Sequence, residues 1–184
     1  MSRTLRTRAS LSAAAALLVL AALPLPVGAH ATFPDGDAVH AGSTAVVHVR
    51  IGHGCDGAPV DAVEIALPDG IVAARPEYVP GWGLEVEMVA SEPYEMYGET
   101  FTERVGIIRW TGGDLPDFAF FDFGFRATFL LEPGAYFVPT VQRCGDAEVA
   151  WIETPAEGQD PHDLAYPAPQ LTIVPADAAE GDGH

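Results

Sequence analysis

Lysine is absent from the whole chain, and arginine, with nine copies against 26 acids, is the sole strong base. Three of those arginines, Arg3, Arg6 and Arg8, stand ahead of an apolar run and the small-residue triplet Val27-Gly28-Ala29. Basic, apolar and small-residue parts in that order form the pattern of a secretory signal peptide, so residues 1–29 are read as a leader cleaved after Ala29. What remains carries six arginines and 26 acids, a net charge of −20. So acidic a surface repels phosphate backbones and anionic lipid, which argues against nucleic-acid and membrane-surface binding. It suits a cation.

Long hydrophobic runs are lacking as well. The leader's own run is broken by Pro24 and Pro26 before it reaches a comfortable membrane span, and no other segment of spanning length follows. The protein starting at His30 is therefore expected to be periplasmic or secreted, with no membrane anchor, and monomeric. Cysteine is scarce: Cys55 and Cys144 are the full complement. An even pair in an exported chain favours a disulfide, with a reduced pair holding a metal as the alternative. Closing a loop of nearly ninety residues constrains the unfolded chain by about 4–5 kcal/mol in the chain-entropy treatment. No nucleophile elbow or serine-triad signature occurs after the leader, and acids are too abundant for any one pair to carry catalytic meaning. No enzymatic activity is expected.

Helical periodicity is missing too. Short runs of alternating apolar residues, separated by Gly, Pro and Asp, read as strands over 43–51, 60–68, 83–90, 103–110, 120–131, 135–142, 148–153 and 169–175. In the first of these, Val47, Val49 and Ile51 share one face, and Val46, His48 and Arg50 the other. "PDG", "VPGWG", "TGGDLPD" and "EPG" read as the turns between strands, and "DAVHAG" as a loop carrying His40. Seven to nine such strands predict an all-β chain: a single β-sandwich of immunoglobulin or cupredoxin type spanning residues 30–175, with an acidic disordered tail over 176–184.

An N-terminal "HATF" after the leader, then "RIGHGCDGAPV", "PGW", "RWTGGDLPD", "FGFRATF" and "AWIETPAEGQDPH" together resemble the YcnI-like family of exported copper-binding proteins, in the cysteine-containing form of Gram-negative bacteria. The resemblance runs through the whole domain in the same order. It implies a β-sandwich, one Cu(II) bound at the processed N-terminus by a single histidine, and a part in copper homeostasis. A copper carrier must surrender its ion, so a second copper-trafficking protein is expected as partner. Trp151 matches the family tryptophan that lies beside the copper without binding it. Where the better-known Gram-positive form has a glutamate after its first strand, this chain reads His53-Gly54-Cys55, and it lacks the C-terminal membrane anchor of many relatives.

The chemistry of a terminal histidine points the same way. Once the chain starts at His30, its α-amine and Nδ1 form a chelate ring, and Cu(II), which favours tetragonal N,O coordination, heads the divalent affinity order at such a site. The alternative is a frayed, solvated terminus. His53 is the candidate second ligand because imidazole suits copper and the matching carboxylate is missing. His162 either approaches the metal region or caps a local turn with Asp160 and Asp163. Glu148, Glu153 and Glu157 are carboxylates near Trp151 in sequence. His40 and His48 read as background.

Two other classes compete. A copper-dependent oxidative enzyme would take His53 or His162 as its second histidine, with Phe33, Tyr94 or Tyr97 as the aromatic beside the metal. A metal-free cell-surface interaction module needs only the sandwich, since that architecture hosts many functions.

Overall fold

Alternation along Phe121–Phe129 builds the centre of the core: Phe123, Phe125, Ala127 and Phe129 are wholly buried, while Arg126 between them is exposed. Each such phenylalanine removes a large apolar surface from water, worth roughly 2–3 kcal/mol. The computed structural model describes residues 30–34 and 38–176. The leader (1–29) and all but the first residue of the tail (176–184) lie outside the described residues.

Among the described residues, eleven strands follow in chain order: β1 (Ala38–His40), β2 (Thr44–Ile51), β3 (Val60–Ala66), β4 (Ile71–Pro76), β5 (Gly83–Met96), β6 (Glu99–Leu115), β7 (Phe121–Phe129), β8 (Gly134–Phe137), β9 (Thr140–Cys144), β10 (Ala147–Trp151) and β11 (Gln170–Val174). They form an all-β sandwich. Hydrogen bonding divides it into a five-stranded sheet ordered β10-β9-β3-β6-β5 and two three-stranded sheets, β2-β7-β4 and β1-β11-β8. β1 and β11 run parallel; the remaining strand pairs are antiparallel. The turn at 41–43 joins the two smaller sheets, because the Ala41 N–H reaches the Val174 carbonyl (2.9 Å) and the Gly42 N–H reaches that of Phe129 (2.8 Å).

Three readings of the sequence need correction. "DAVHAG" is not a loop: Ala38–His40 pairs with Thr172–Val174. "TGGDLPD" is not wholly a turn, since β6 continues through Leu115. The single run 135–142 is two strands in different sheets. Pro139 has no N–H to offer a ladder, and the chain changes sheet there: the Val138 N–H bonds to the Pro169 carbonyl beside β11, while the Pro139 carbonyl accepts from Ala66 at the end of β3. β4 was missed altogether.

The alternation read in β2 is correct: Val47, Val49 and Ile51 are buried and Val46 is half exposed. Trp110 is fully buried beside Phe123, with its indole N–H donating to the Glu77 carbonyl at 3.0 Å. On the outer face, Arg109 lies between Glu64 (2.6 Å) and Glu87 (3.0 Å). Hydrogen bonds to these carboxylates, Glu64 first, raise its pKa above the ordinary arginine value. Cys55 and Cys144 are joined, tying the segment after β2 to the end of β9.

Candidate functional site

Four separate segments meet at one end of the sandwich. The first holds His30. Ala31 and Phe33 are buried, and Thr32 forms a two-way backbone bridge with Arg50, its N–H at 3.3 Å and its carbonyl at 2.7 Å. Arg50 is itself held by both carboxylate oxygens of Asp122, at 2.7 Å each. His30 is therefore two residues from the anchored bridge at Thr32, and its position is set by the sandwich.

The second segment is the turn after β2. Asp56 and Gly57, with φ of 49° and 92°, occupy the centre of a two-residue turn closed by mutual backbone hydrogen bonds between Cys55 and Ala58. Positive φ at both central positions explains the Asp-Gly pair. Gly54 is required for another reason: a Cβ there would run into the Ala58 carbonyl. His53, just ahead of this turn, is exposed, and its Nδ1 donates to the Gly54 carbonyl at 2.5 Å. A carbonyl only accepts, so Nε2 carries the lone pair of the neutral ring.

The third segment is the β9–β10 hairpin. Trp151 and Gln142 are buried, and the indole N–H of Trp151 donates to Gln142 Oε1 at 3.2 Å. The fourth is the excursion over residues 152–168. Glu153 clips its two ends together: its N–H bonds to the Tyr166 carbonyl, its side chain accepts from the Tyr166 N–H at 2.8 Å, and its carbonyl accepts from Ala168. Within the excursion Asp160 caps a single 3₁₀ turn, Pro161–Asp163, by accepting from the His162 N–H at 2.9 Å.

These segments enclose an open cleft of about 760 Å³, and His30, His53, Trp151 and His162 all line it. His30 meets the indole of Trp151 edge-on at 5.6 Å between centroids, and Tyr166 lies against that indole at 5.6 Å. Of the three nearby carboxylates, Glu148 lines the cleft, paired with Arg143 at 2.5 Å. Glu153 is occupied by the Tyr166 N–H, and Glu157 is exposed away from the cleft wall. Asp56 adds a second carboxylate to the lining.

His40 and His48 lie elsewhere. His40 Nδ1 is 2.9 Å from the Pro175 carbonyl, and His48 is 3.6 Å from Glu77. Tyr94 stacks on Phe101 in the long β5–β6 hairpin, where Tyr97 also sits, and Phe33 packs into the core. None of these three aromatics lines this cleft; Phe33 lines an adjoining pocket together with His30 and His162, whereas Tyr94 and Tyr97 lie in the β5–β6 hairpin away from both. Tyr166 and Gln142 escaped the sequence reading. Gln142 did carry a signal, because it alternates with Thr140 and Cys144 on an inward face where a polar side chain needs a reason.

Among the described residues, no three His, Cys, Asp or Glu side chains already converge on a common point. A site built wholly of side chains, as for structural zinc, does not fit. A terminal amine is a donor outside that set: a histidine that starts a chain supplies two nitrogens from one residue. The His30 α-nitrogen becomes such an amine only on cleavage after Ala29.

Residues 30–173 match the family described as "Domain of unknown function (DUF1775)". A solved structure, described as an uncharacterized protein from Nocardia farcinica that reveals an immunoglobulin-like fold, is similar at 27% identity with a TM-score of 0.58. The similarity covers 79% of this chain and 98% of that one. No curated protein matches. Among the described residues no helix is long and apolar enough to cross a membrane.

Proposed function

The chain belongs to the DUF1775 family, and on that premise we propose that it is an exported Cu(II)-binding protein that takes one copper ion at a processed His30 and passes it to a second copper-trafficking protein. The observation that carries this reading is the meeting of His30, His53, His162 and Trp151, from four distant segments, around one cleft beside an anchored chain start. The family match beginning at His30 supports the cleavage point.

In this reading the His30 amine and imidazole chelate the ion, and His53 offers Nε2 as the next nitrogen. Trp151 walls the site and keeps one side of it dry, and His162 stands at the rim. Copper is cargo here and not the agent of a reaction. An open cleft suits that role, since a carrier must surrender its ion. The acidic surface favours the approach of cations.

The decisive experiment compares two forms of the protein, one starting at His30 and one with a single residue added before it. The extra residue turns the amine into an amide and removes half the chelate. Native mass spectrometry and chelator competition should give one tightly held Cu(II) in the first form and much weaker binding in the second. Equal affinity in both would sink the proposal. Supplied with reductant and oxygen, the copper form should release no oxidised oligosaccharides from cellulose or chitin; steady release would make it an oxidative enzyme instead.

A further inference from the structure

We propose that Gln142 is the positioning residue of this site, the single side chain that holds His53 in register with Trp151 and His30. The inference rests on the copper reading above and names what makes its geometry reproducible.

Gln142 is only 2% exposed, on the inward face of β9 between Thr140 and Cys144. A buried amide is costly unless its donors and acceptor are satisfied, so an apolar residue is the ordinary occupant of such a position. Here both ends of the amide are used, on two different segments. Oε1 accepts from the Trp151 indole at 3.2 Å. Nε2 donates to the His53 carbonyl at 3.1 Å and, more weakly, towards the Gly54 carbonyl at 3.5 Å. That second carbonyl is the one bound by His53 Nδ1. The result is a continuous chain of contacts running from the His30 ring through Trp151 and Gln142 to the imidazole of His53.

The disulfide repeats this tie two residues further along each segment: Gln142 precedes Cys144 by two positions, and His53 precedes Cys55 by two. Nε2 also lies 3.7 Å from Cys55 Sγ. The covalent bridge fixes the far end of the turn, and the amide fixes the end that carries the imidazole. Outer contacts that orient a metal-binding histidine commonly change metal affinity by about 10- to 100-fold when removed.

The test uses disulfide-bonded protein starting at His30, with Gln142→Met cutting both bonds and Trp151→Phe cutting only the indole arm. Gln142→Asn, whose amide is one methylene too short to bridge, serves should the methionine variant not fold. The glutamine variant should lose about tenfold or more in Cu(II) affinity and give the Cu(II) EPR spectrum of His53→Ala, whereas Trp151→Phe should not. Combining Gln142→Met with His53→Ala should weaken binding no further than His53→Ala alone. In the metal-free protein, NMR relaxation of the His53 amide and ring should show motion released by the glutamine variant. Unchanged relaxation, or additive losses in the double variant, would overturn the assignment. If the parent protein takes up no Cu(II) while Gln142→Met still releases His53, the copper reading fails and the positioning role stands.

Discussion

The His30 ring stands at 65° to the plane of the Trp151 indole, edge against face, with 5.6 Å between their centres. A paramagnetic ion held by His30 is then within a few ångströms of one indole. The other two tryptophans are placed differently: Trp110 is sealed in the core, and Trp82 packs on Phe123. Cu(II) should therefore quench the emission of Trp151 selectively. Trp151→Phe should abolish most of the copper-dependent quenching while one ion still binds. Quenching that survives the substitution would place the metal elsewhere.

Stability should depend on the disulfide far more than copper stoichiometry does. Cys144→Ala opens a loop of 89 residues, and losing such a bridge costs about 2–5 kcal/mol. Denaturant unfolding should report that loss, and native mass spectrometry should still count one copper. Free thiols in the parent protein under non-reducing alkylation would contradict the pairing.

Copper binding should weaken as pH falls, because protons compete with the metal for nitrogen lone pairs. With the His30 amine, the His30 imidazole and the His53 imidazole all coordinated, three protons are displaced per ion in acid, so the logarithm of the apparent affinity should approach a slope of about three per pH unit. A slope near two, measured by chelator competition, would mean that one of the three nitrogens, the amine or an imidazole, is not a ligand.

Gly54→Ala should damage the site from a distance of one residue. The new methyl group runs into the Ala58 carbonyl, and because that contact is with backbone, the turn itself has to shift. Overpacking of this kind costs about 1–3 kcal/mol. Copper affinity should fall together with thermal stability; a variant of native stability and native affinity would show that the turn is less constrained than its contacts imply.

How much of this was legible beforehand depended on whether a feature keeps a simple period. β2 alternates cleanly, and its inward face was readable from Val47, Val49 and Ile51. β4 was not readable, because its pairing shifts between Val72 and Arg75 and Ala73 adopts a positive φ of 50°, which breaks the two-residue period. β1 is only three residues long, too short to carry a pattern. The histidines stand out because imidazole is a metal ligand, and Trp151 because it matches a tryptophan of the family that the chain resembles. Gln142 and Tyr166 carry neither mark. Their importance lies in what they touch, Trp151 in both cases: the inward position of Gln142 marks a polar side chain in need of a partner without saying which, and a contact across the 152–168 excursion leaves no mark on Tyr166.

The parallel pair of β1 and β11 has a consequence for how the chain reaches its shape. Ala38–His40 meets Thr172–Val174, so one of the earliest structured segments waits for one of the last. Non-local pairing of this kind is slow, because the entropy of closing the loop must be met before the contact repays it. Leu171 and Ile173, both sealed in the core, are the closing stones of the sandwich. In the proposed reading, a chain exported from its N-terminus would present His30 to the outside long before they arrive. The end proposed to bind the ion would thus be exposed first and braced last, and tight metal capture would be a property of the completed domain.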